Sequence, residues 1–304
     1  MNEQTITPLT PLISPIFETH NITVYMKREE LNHPYIQGNK WHKLKFNIQE
    51  ALIQHKTTLL TFGGAYSNHI AATAVAAQEA GLTSIGIIRG EELSKKPEKW
   101  SHTLKEAAKN GMVFLFISRS EYRNKSTNNA LKQLETRFPD AYIIPEGGSN
   151  SLAVKGFQPL MQQIEEQCPD WTHLFSAVGT GATLAGIVKY ASVKSKHLNH
   201  PRIILGVPVL KQGDYLRPQI KEWIAEPHVN SWQLLTDYHC GGYAKTPDDL
   251  LQQKATFEQA FGIPLDPIYT AKMMYAFYDQ LKQNKIKPGS KVILLHTGGL
   301  QGNL

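Results

Sequence analysis

At 304 residues the chain can hold one large α/β domain or two modest ones around a substantial core, and its charged (19%) and apolar (41%) fractions are those of an ordinary globular protein. The formal charge of +6 rests on scattered lysines (Lys95, Lys96 and Lys99; Lys105 and Lys109; Lys194 and Lys196; Lys282, Lys285 and Lys287) that never interleave with aromatics; they read as solvated helix faces, and nucleic acid is not an expected partner. Two cysteines without CxxC spacing, no signal-peptide order over residues 1–24 and no apolar run near the roughly 18–20 residues of a membrane span predict a cytoplasmic chain without disulfide scaffold, metal site or membrane partner.

In chain order, a short turn, Gly38-Asn39-Lys40, leads into a helical pattern through Trp41, His42, Lys43 and Leu44. Thr57–Phe62 predicts a strand ending in Gly63-Gly64, and Asn68–Ala80 an alanine-rich helix. Further strands are predicted at Ser84–Ile88, Met112–Ser118 and Ala141–Ile144, followed by Gly147-Gly148-Ser149-Asn150. Phe157, Leu160, Met161 and Ile164 mark one helix face. His173–Val178 predicts a strand, Thr183–Tyr190 a helix and Arg202–Val209 another strand. Met274, Phe277, Tyr278 and Leu281 stripe a late helix before the buried strand Lys291–His296. This alternation predicts an α/β fold of two lobes, each a mostly parallel twisted sheet flanked by helices. The turns at Gly38–Leu44 and Gly147–Asn150 are the expected seams. Residues 44–150 would form a smaller α/β domain inserted into a larger one made of 1–43 and 151–304, with a cofactor in the cleft between them.

Three stretches can carry chemistry. A lysine amine condenses with an aldehyde to form a Schiff base, and Lys40, in a short turn at one seam, is the candidate nucleophile. Lys43, three residues on, is expected on the first helical turn in a packing or surface-charge role. Val178-Gly179-Thr180-Gly181-Ala182-Thr183 runs from strand to helix, where converging N–H groups, the helix dipole and two hydroxyls suit a phosphate. A plain tight βα connection is the other reading, and neither a Walker loop nor a full GxGxxG is present. Ser67, Asn68 and His69 open a helix after a Gly-Gly bend; they suit a helix cap or the binding of a substrate carboxylate, and the two are compatible. His197 and His200 lack an acidic or cysteine companion and read as surface residues, while His296, at a strand end, reads as structural.

The stretches Lys27-Arg28-Glu29, Gly38-Asn39-Lys40 with Lys43-Leu44, Gly63-Gly64 with Ser67-Asn68, and Glu146-Gly147-Gly148-Ser149-Asn150 recur in one family's order. So do Gly179-Thr180-Gly181-Ala182-Thr183, Gly241-Gly242-Tyr243, Leu265-Asp266-Pro267-Ile268-Tyr269-Thr270 and His296-Thr297-Gly298-Gly299. On these residues, which run nearly end to end, the chain resembles the 1-aminocyclopropane-1-carboxylate deaminase / D-cysteine desulfhydrase family of fold-type-II, tryptophan synthase β-like pyridoxal phosphate enzymes. The resemblance implies a lyase acting on a small amino acid with pyridoxal 5'-phosphate in the interlobe cleft; a homodimer is expected. It implies that Lys40 holds the cofactor and shuttles protons, that Asn68 meets its ring oxygen, and that Gly179, Thr180, Gly181, Ala182 and Thr183 cradle its phosphate. It places Ser67, Asn68 and His69 against the substrate, with Tyr243 and Tyr269 flanking the pocket as catalytic candidates alongside Lys40 and Ser67.

Thr270 and Thr297 stand where the deaminases of this family carry Glu and Leu, and both match the desulfhydrase-like branch. A hydroxyl, that of Thr270 by first choice, would then serve a largely unprotonated pyridine nitrogen. β-Elimination from D-cysteine is the expected reaction. Ring-opening deamination of 1-aminocyclopropane-1-carboxylate, β-replacement or racemisation on the same cofactor, and a non-catalytic ligand-binding α/β protein are the alternatives. The approach His33–Gly38, His69 in place of a frequent Gln, and the loop Tyr238–Gly242 depart from the family pattern and border the substrate.

Overall fold

A computed structural model describes residues 5–191, 202–225 and 231–303; Lys194, Lys196, His197 and His200 lie outside the described residues. Ten strands divide into two sheets. They are β1 (Leu9–Leu12), β2 (Thr23–Lys27), β3 (Thr58–Gly64), β4 (Thr83–Arg89), β5 (Met112–Ile117), β6 (Ala141–Ile143), β7 (His173–Val178), β8 (Ile203–Pro208), β9 (Ser231–Leu234) and β10 (Lys291–Leu295). The larger sheet has the order β1-β2-β10-β7-β8-β9 and the smaller one β5-β4-β3-β6. β1 pairs antiparallel with β2; every other pairing is parallel. Both chain ends thus build one sheet and the middle of the chain builds the other.

Strands of a parallel sheet with both faces covered read as continuous apolar runs, which is why β7, β8 and β10 stand out in the sequence. Their side chains alternate between two layers. Leu174, Val178, Ile204, Ile293 and Leu295 pack with the helices Gln158–Gln167, Ala182–Tyr190 and Arg217–Ile224. Phe175, Ala177, Leu205, Val207, Val292 and Leu294 pack on the opposite face with Asp248–Phe261 and Thr270–Lys282. β1, β9 and β2 were not predicted; Thr10 and Pro11, Ser231 and Gln233, and Thr23 and Lys27 leave them without the continuous apolar run that marks the others.

One helix, Asn39–Ile53, runs straight through the expected seam at Lys43–Leu44. Its Trp41, Leu44, Ile48 and Ala51 pack against Leu59, Ala72, Val75 and Ala76 of the smaller lobe. Its first turn leans instead on the larger lobe, where the Asn39 N–H donates to the Thr297 carbonyl at 3.2 Å. Gly38 makes that approach possible: it has φ +65°, and a Cβ there would lie 1.9 Å from the Thr297 oxygen. Only glycine fits.

Candidate active site and cofactor cleft

The loops leaving the C-terminal ends of β3, β7 and β10 converge near the first turn of the Asn39–Ile53 helix, the place where open parallel sheets bind ligands. The cleft there is lined by Asn39, Lys40, Asn68, Tyr269, Thr297 and Gly299, among others. Lys40 Nζ donates to Asn39 Oδ1 at 2.8 Å. Burial pulls its pKa down from 10.5 to about 8, the nearby Asp266 carboxylate opposing the shift. A drop of that size raises the fraction of free, nucleophilic amine at neutral pH by about 300-fold. The site therefore makes the chemistry expected of Lys40 easier by desolvation alone.

Lys43 departs from its expected packing or surface-charge role. It is 3% exposed, and its Nζ donates to the Gly147 carbonyl at 3.0 Å and reaches Ser149 Oγ and Thr180 Oγ1, each at 3.3 Å. Burial, and then the charge of Lys40, push its pKa well below the usual lysine value. Lys40 and Lys43 are three apart in a helix and so share a face, which is the sequence signal that could have found it.

The Gly179–Thr183 loop links β7 to the helix Ala182–Tyr190, with Gly181 as N-cap. Its hydroxyls already have protein partners: Thr180 with Ser149 and Lys43, and Thr183 with Asn39 Nδ2 at 3.0 Å. The first-turn N–H groups, which no helix satisfies internally, are what the loop has to offer an anion. Asn39 and Lys43 thus tie the helix that carries Lys40 to both threonines of the loop.

Ser67 is the N-cap residue of Asn68–Glu79 but its side chain makes no cap hydrogen bond, so the hydroxyl is not consumed by capping. Asn68 lines the cleft, and its buried Oδ1 has no partner among the described residues. His69 is buried behind the cleft wall. Its Nε2 meets Thr61 Oγ1 at 2.8 Å, while its unpartnered Nδ1 lies by Gly148. Burial, with the charges of Lys40 and Lys43, holds the ring well below the ordinary histidine pKa, as a neutral imidazole.

Tyr243 and Tyr269 meet edge to face with ring centroids 6.2 Å apart. Burial raises both hydroxyls. The two rings also act on each other, Tyr269 drawing Tyr243 back down and Tyr243 pushing Tyr269 further up, so Tyr243 is the more acidic of the two. The two threonines separate. Thr297 lines the cleft. Thr270 does not: its hydroxyl donates to Asp266 Oδ2 at 2.7 Å and accepts the Asp266 N–H at 2.8 Å. Asp266 itself accepts the N–H groups of Ile268, Tyr269 and Thr270, so the pair closes the start of the Thr270–Lys282 helix. Behind Thr297, His296 Nε2 meets the Pro264 carbonyl at 2.8 Å and its Nδ1 accepts the Gly298 N–H at 3.2 Å, the structural position expected of it.

An aldehyde-reactive amine, a helix N-terminus backed by a buried lysine, and an unpartnered amide between them fit a small aromatic aldehyde bearing a phosphate. The orphaned Asn68 Oδ1 is the observation that a bound ring would resolve.

Comparison with known proteins gives the same chemistry. The sequence pattern of "Pyridoxal-phosphate dependent enzyme" matches residues 2–298. A protein of Arabidopsis thaliana named bifunctional D-cysteine desulfhydrase/1-aminocyclopropane-1-carboxylate deaminase, mitochondrial, is 32% identical over 299 residues, covering 92% of this chain and 73% of its own length. A putative 1-aminocyclopropane-1-carboxylate deaminase of Thermotoga maritima is 30% identical over 301 residues, 94% of this chain and 91% of that one. Among solved structures, an ACC deaminase homologue superposes with a TM-score of 0.79 at 25% identity, over 98% of this chain and 90% of the other.

Proposed function

The chain belongs to the pyridoxal-phosphate dependent enzymes, and on that premise we propose that it removes the β-substituent of a small amino acid, D-cysteine first, to give pyruvate, ammonia and sulfide. Bound pyridoxal phosphate supplies the aldehyde that captures the substrate amine and a ring that draws electrons from its α-carbon. The chain supplies the rest. Lys40 Nζ holds the cofactor and then takes the α-proton, a role its lowered pKa suits. The Gly179–Thr183 amides and Lys43 would hold the phosphate, and Asn68 would meet the ring. The Ser67 hydroxyl orients the substrate carboxylate, with the neutral His69 supporting the wall behind it. Tyr243, the more acidic of the tyrosine pair, faces the leaving group.

The observation that carries elimination is Thr297 in the cleft lining, where its side chain is a hydroxyl and not a carboxylate. A buried carboxylate close enough to influence Lys40, that of Asp266, has both oxygens engaged by three N–H groups and the Thr270 hydroxyl. Thr297 thus replaces Thr270 as the first choice for the ring nitrogen. A hydroxyl there leaves the nitrogen neutral and the electron sink weaker, which suffices when a thiolate departs but not when a carbon–carbon bond must break. Ring opening of 1-aminocyclopropane-1-carboxylate is the second reading, favoured by the names of the relatives. Purified protein assayed side by side on D-cysteine, L-cysteine, D-serine and 1-aminocyclopropane-1-carboxylate decides between them. Ring opening faster than pyruvate release from D-cysteine overturns the proposal.

The proposal includes a division into residues 1–43 with 151–304 and residues 44–150, the Asn39–Ile53 helix belonging to both lobes. It also includes a homodimer in the cytoplasm. Two unpaired cysteines, Cys168 and Cys240, accord with a reducing compartment, and among the described residues no helix is long and apolar enough to cross a membrane. Sedimentation of the holoenzyme tests the dimer.

A further inference from the structure

Lys272 is 0% exposed, and its amine donates to the Gly242 carbonyl at 2.8 Å. A lysine at full burial is costly to keep, and a methionine of similar volume would fill the space without that cost. The carbonyl it grips belongs to an unusual stretch of backbone. Cys240 (φ +53°), Gly241 (+90°), Gly242 (+117°) and Ala244 (+58°) all lie in the left-handed region, and two of the four carry a side chain. Such residues persist only where their surroundings over-determine them, and they gather at functional sites. The turn's own bonds are few: Gly241 N–H to the His239 ring, Gly242 N–H to the His239 carbonyl, and Lys245 N–H to the same Gly242 carbonyl that Lys272 holds. Tyr243 rides on this turn. Tyr269 immediately precedes the helix that carries Lys272, and Lys272 stands less than one turn inside it.

We propose that Lys272 is a positioning residue for Tyr243: its amine fastens the Cys240–Ala244 turn to the helix that begins after Tyr269, and so sets the edge-to-face pairing of the two tyrosines. The inference rests on the reading above, in which Tyr243 works on the substrate. The Lys272 amine bonds to main chain and not to either tyrosine. It acts through a main-chain carbonyl next to one of them, and the two tyrosines, which come from separate stretches of chain, then move as one unit.

The test uses the cofactor-loaded enzyme with Lys272→Met, Tyr243→Phe and the double variant, on the best substrate of the panel. Lys272→Met should keep the cofactor absorbance band and the melting temperature, yet lower kcat at least tenfold. In the Tyr243→Phe background the same change should alter kcat less than twofold, because the group it positions is gone. Lys272→Arg, which keeps a donor, should recover part of the loss and serves as the primary variant should Lys272→Met fail to fold. Wild-type kcat in Lys272→Met, or an equal fold-loss in both backgrounds, overturns the inference. Wild-type kcat in Tyr243→Phe overturns the reading of Tyr243 instead. In that case, or if no panel substrate turns over, amide hydrogen exchange across residues 239–245 decides: Lys272→Met should speed it at least tenfold, and unchanged exchange refutes the fastening.

Discussion

Replacing Gly38 by alanine isolates the contact that seats Lys40. Two costs are separable. Forcing a Cβ residue to φ +65° and ψ −136°, outside the left-handed helical well, costs at least the figure for that well, about 1–2 kcal/mol. The second cost is local: the new Cβ would meet the Thr297 oxygen at 1.9 Å, the Thr297 carbonyl carbon at 2.2 Å and the Gly298 nitrogen at 2.6 Å, all main-chain atoms that cannot rotate away. Parting the two segments adds about 1–3 kcal/mol of overpacking and gives up the Asn39–Thr297 hydrogen bond, worth about 1 kcal/mol. Gly81 supplies the control, since its φ is +72° and nothing lies within 4 Å of a Cβ there. Gly81→Ala should therefore cost only the first term, about 1–2 kcal/mol, with cofactor affinity unchanged. Gly38→Ala should cost about 3–6 kcal/mol and weaken cofactor binding at least tenfold. Thermal unfolding of both apo variants, with titration of pyridoxal phosphate by absorbance, measures each quantity. Equal stability loss in the two variants with cofactor affinity intact would refute the claim that the Gly38–Thr297 approach seats the lysine.

Lys40 has a folded pKa near 8 against 10.5 unfolded, so between those values the unfolded chain binds more protons and apoprotein stability should rise with pH. The rate at which apoprotein captures pyridoxal should pass an inflection near pH 8, absent in Lys40→Met; a rate still climbing beyond pH 10 contradicts the shift. Ser67→Ala removes no cap bond and should change stability by less than about 0.5 kcal/mol while kcat/KM falls at least tenfold. A larger stability loss with full activity returns Ser67 to capping. Thr270→Val should cost about 1–3 kcal/mol by orphaning the buried Asp266 N–H, which donates to the Thr270 hydroxyl, and Thr297→Val should leave stability nearly unchanged but shift the cofactor absorbance. The reverse pattern would restore Thr270 to the ring nitrogen. Lys43→Ala should retain the cofactor band at saturation yet weaken cofactor affinity about tenfold or more, as loss of a charge-assisted bond requires; unchanged affinity removes Lys43 from the phosphate site.

The chemistry of the site was legible where a residue type has few uses. Lys40 in its glycine turn and the strand–GTGAT–helix passage each carry their chemistry locally. What sequence could not supply was partnership across the chain. Lys43 looks like a solvated helix lysine until Gly147, Ser149 and Thr180, all more than a hundred residues away, fold around its amine. Thr270 and Thr297 are alike as letters; one belongs to a helix start because Asp266 lies four residues before it, a capping signal that family comparison overshadowed. The buried strands announced themselves through unbroken apolar runs, whereas β1, broken by Thr10 and Pro11, and β9, broken by Gln233, did not.

The strand order has a consequence for synthesis. β2 pairs Thr23 with Lys291, so β2 leaves the ribosome 268 residues ahead of its partner strand. At 5–20 residues per second that delay is roughly 15–50 s, far longer than a hairpin or helix needs to form. The smaller sheet, contiguous from Thr58 to Ile143, can close during the wait; the apolar β1–β2 hairpin cannot bury its face. Nascent chains arrested before residue 291 should thus carry a finished smaller lobe beside an open, sticky amino-terminal hairpin, the natural target for a holding chaperone.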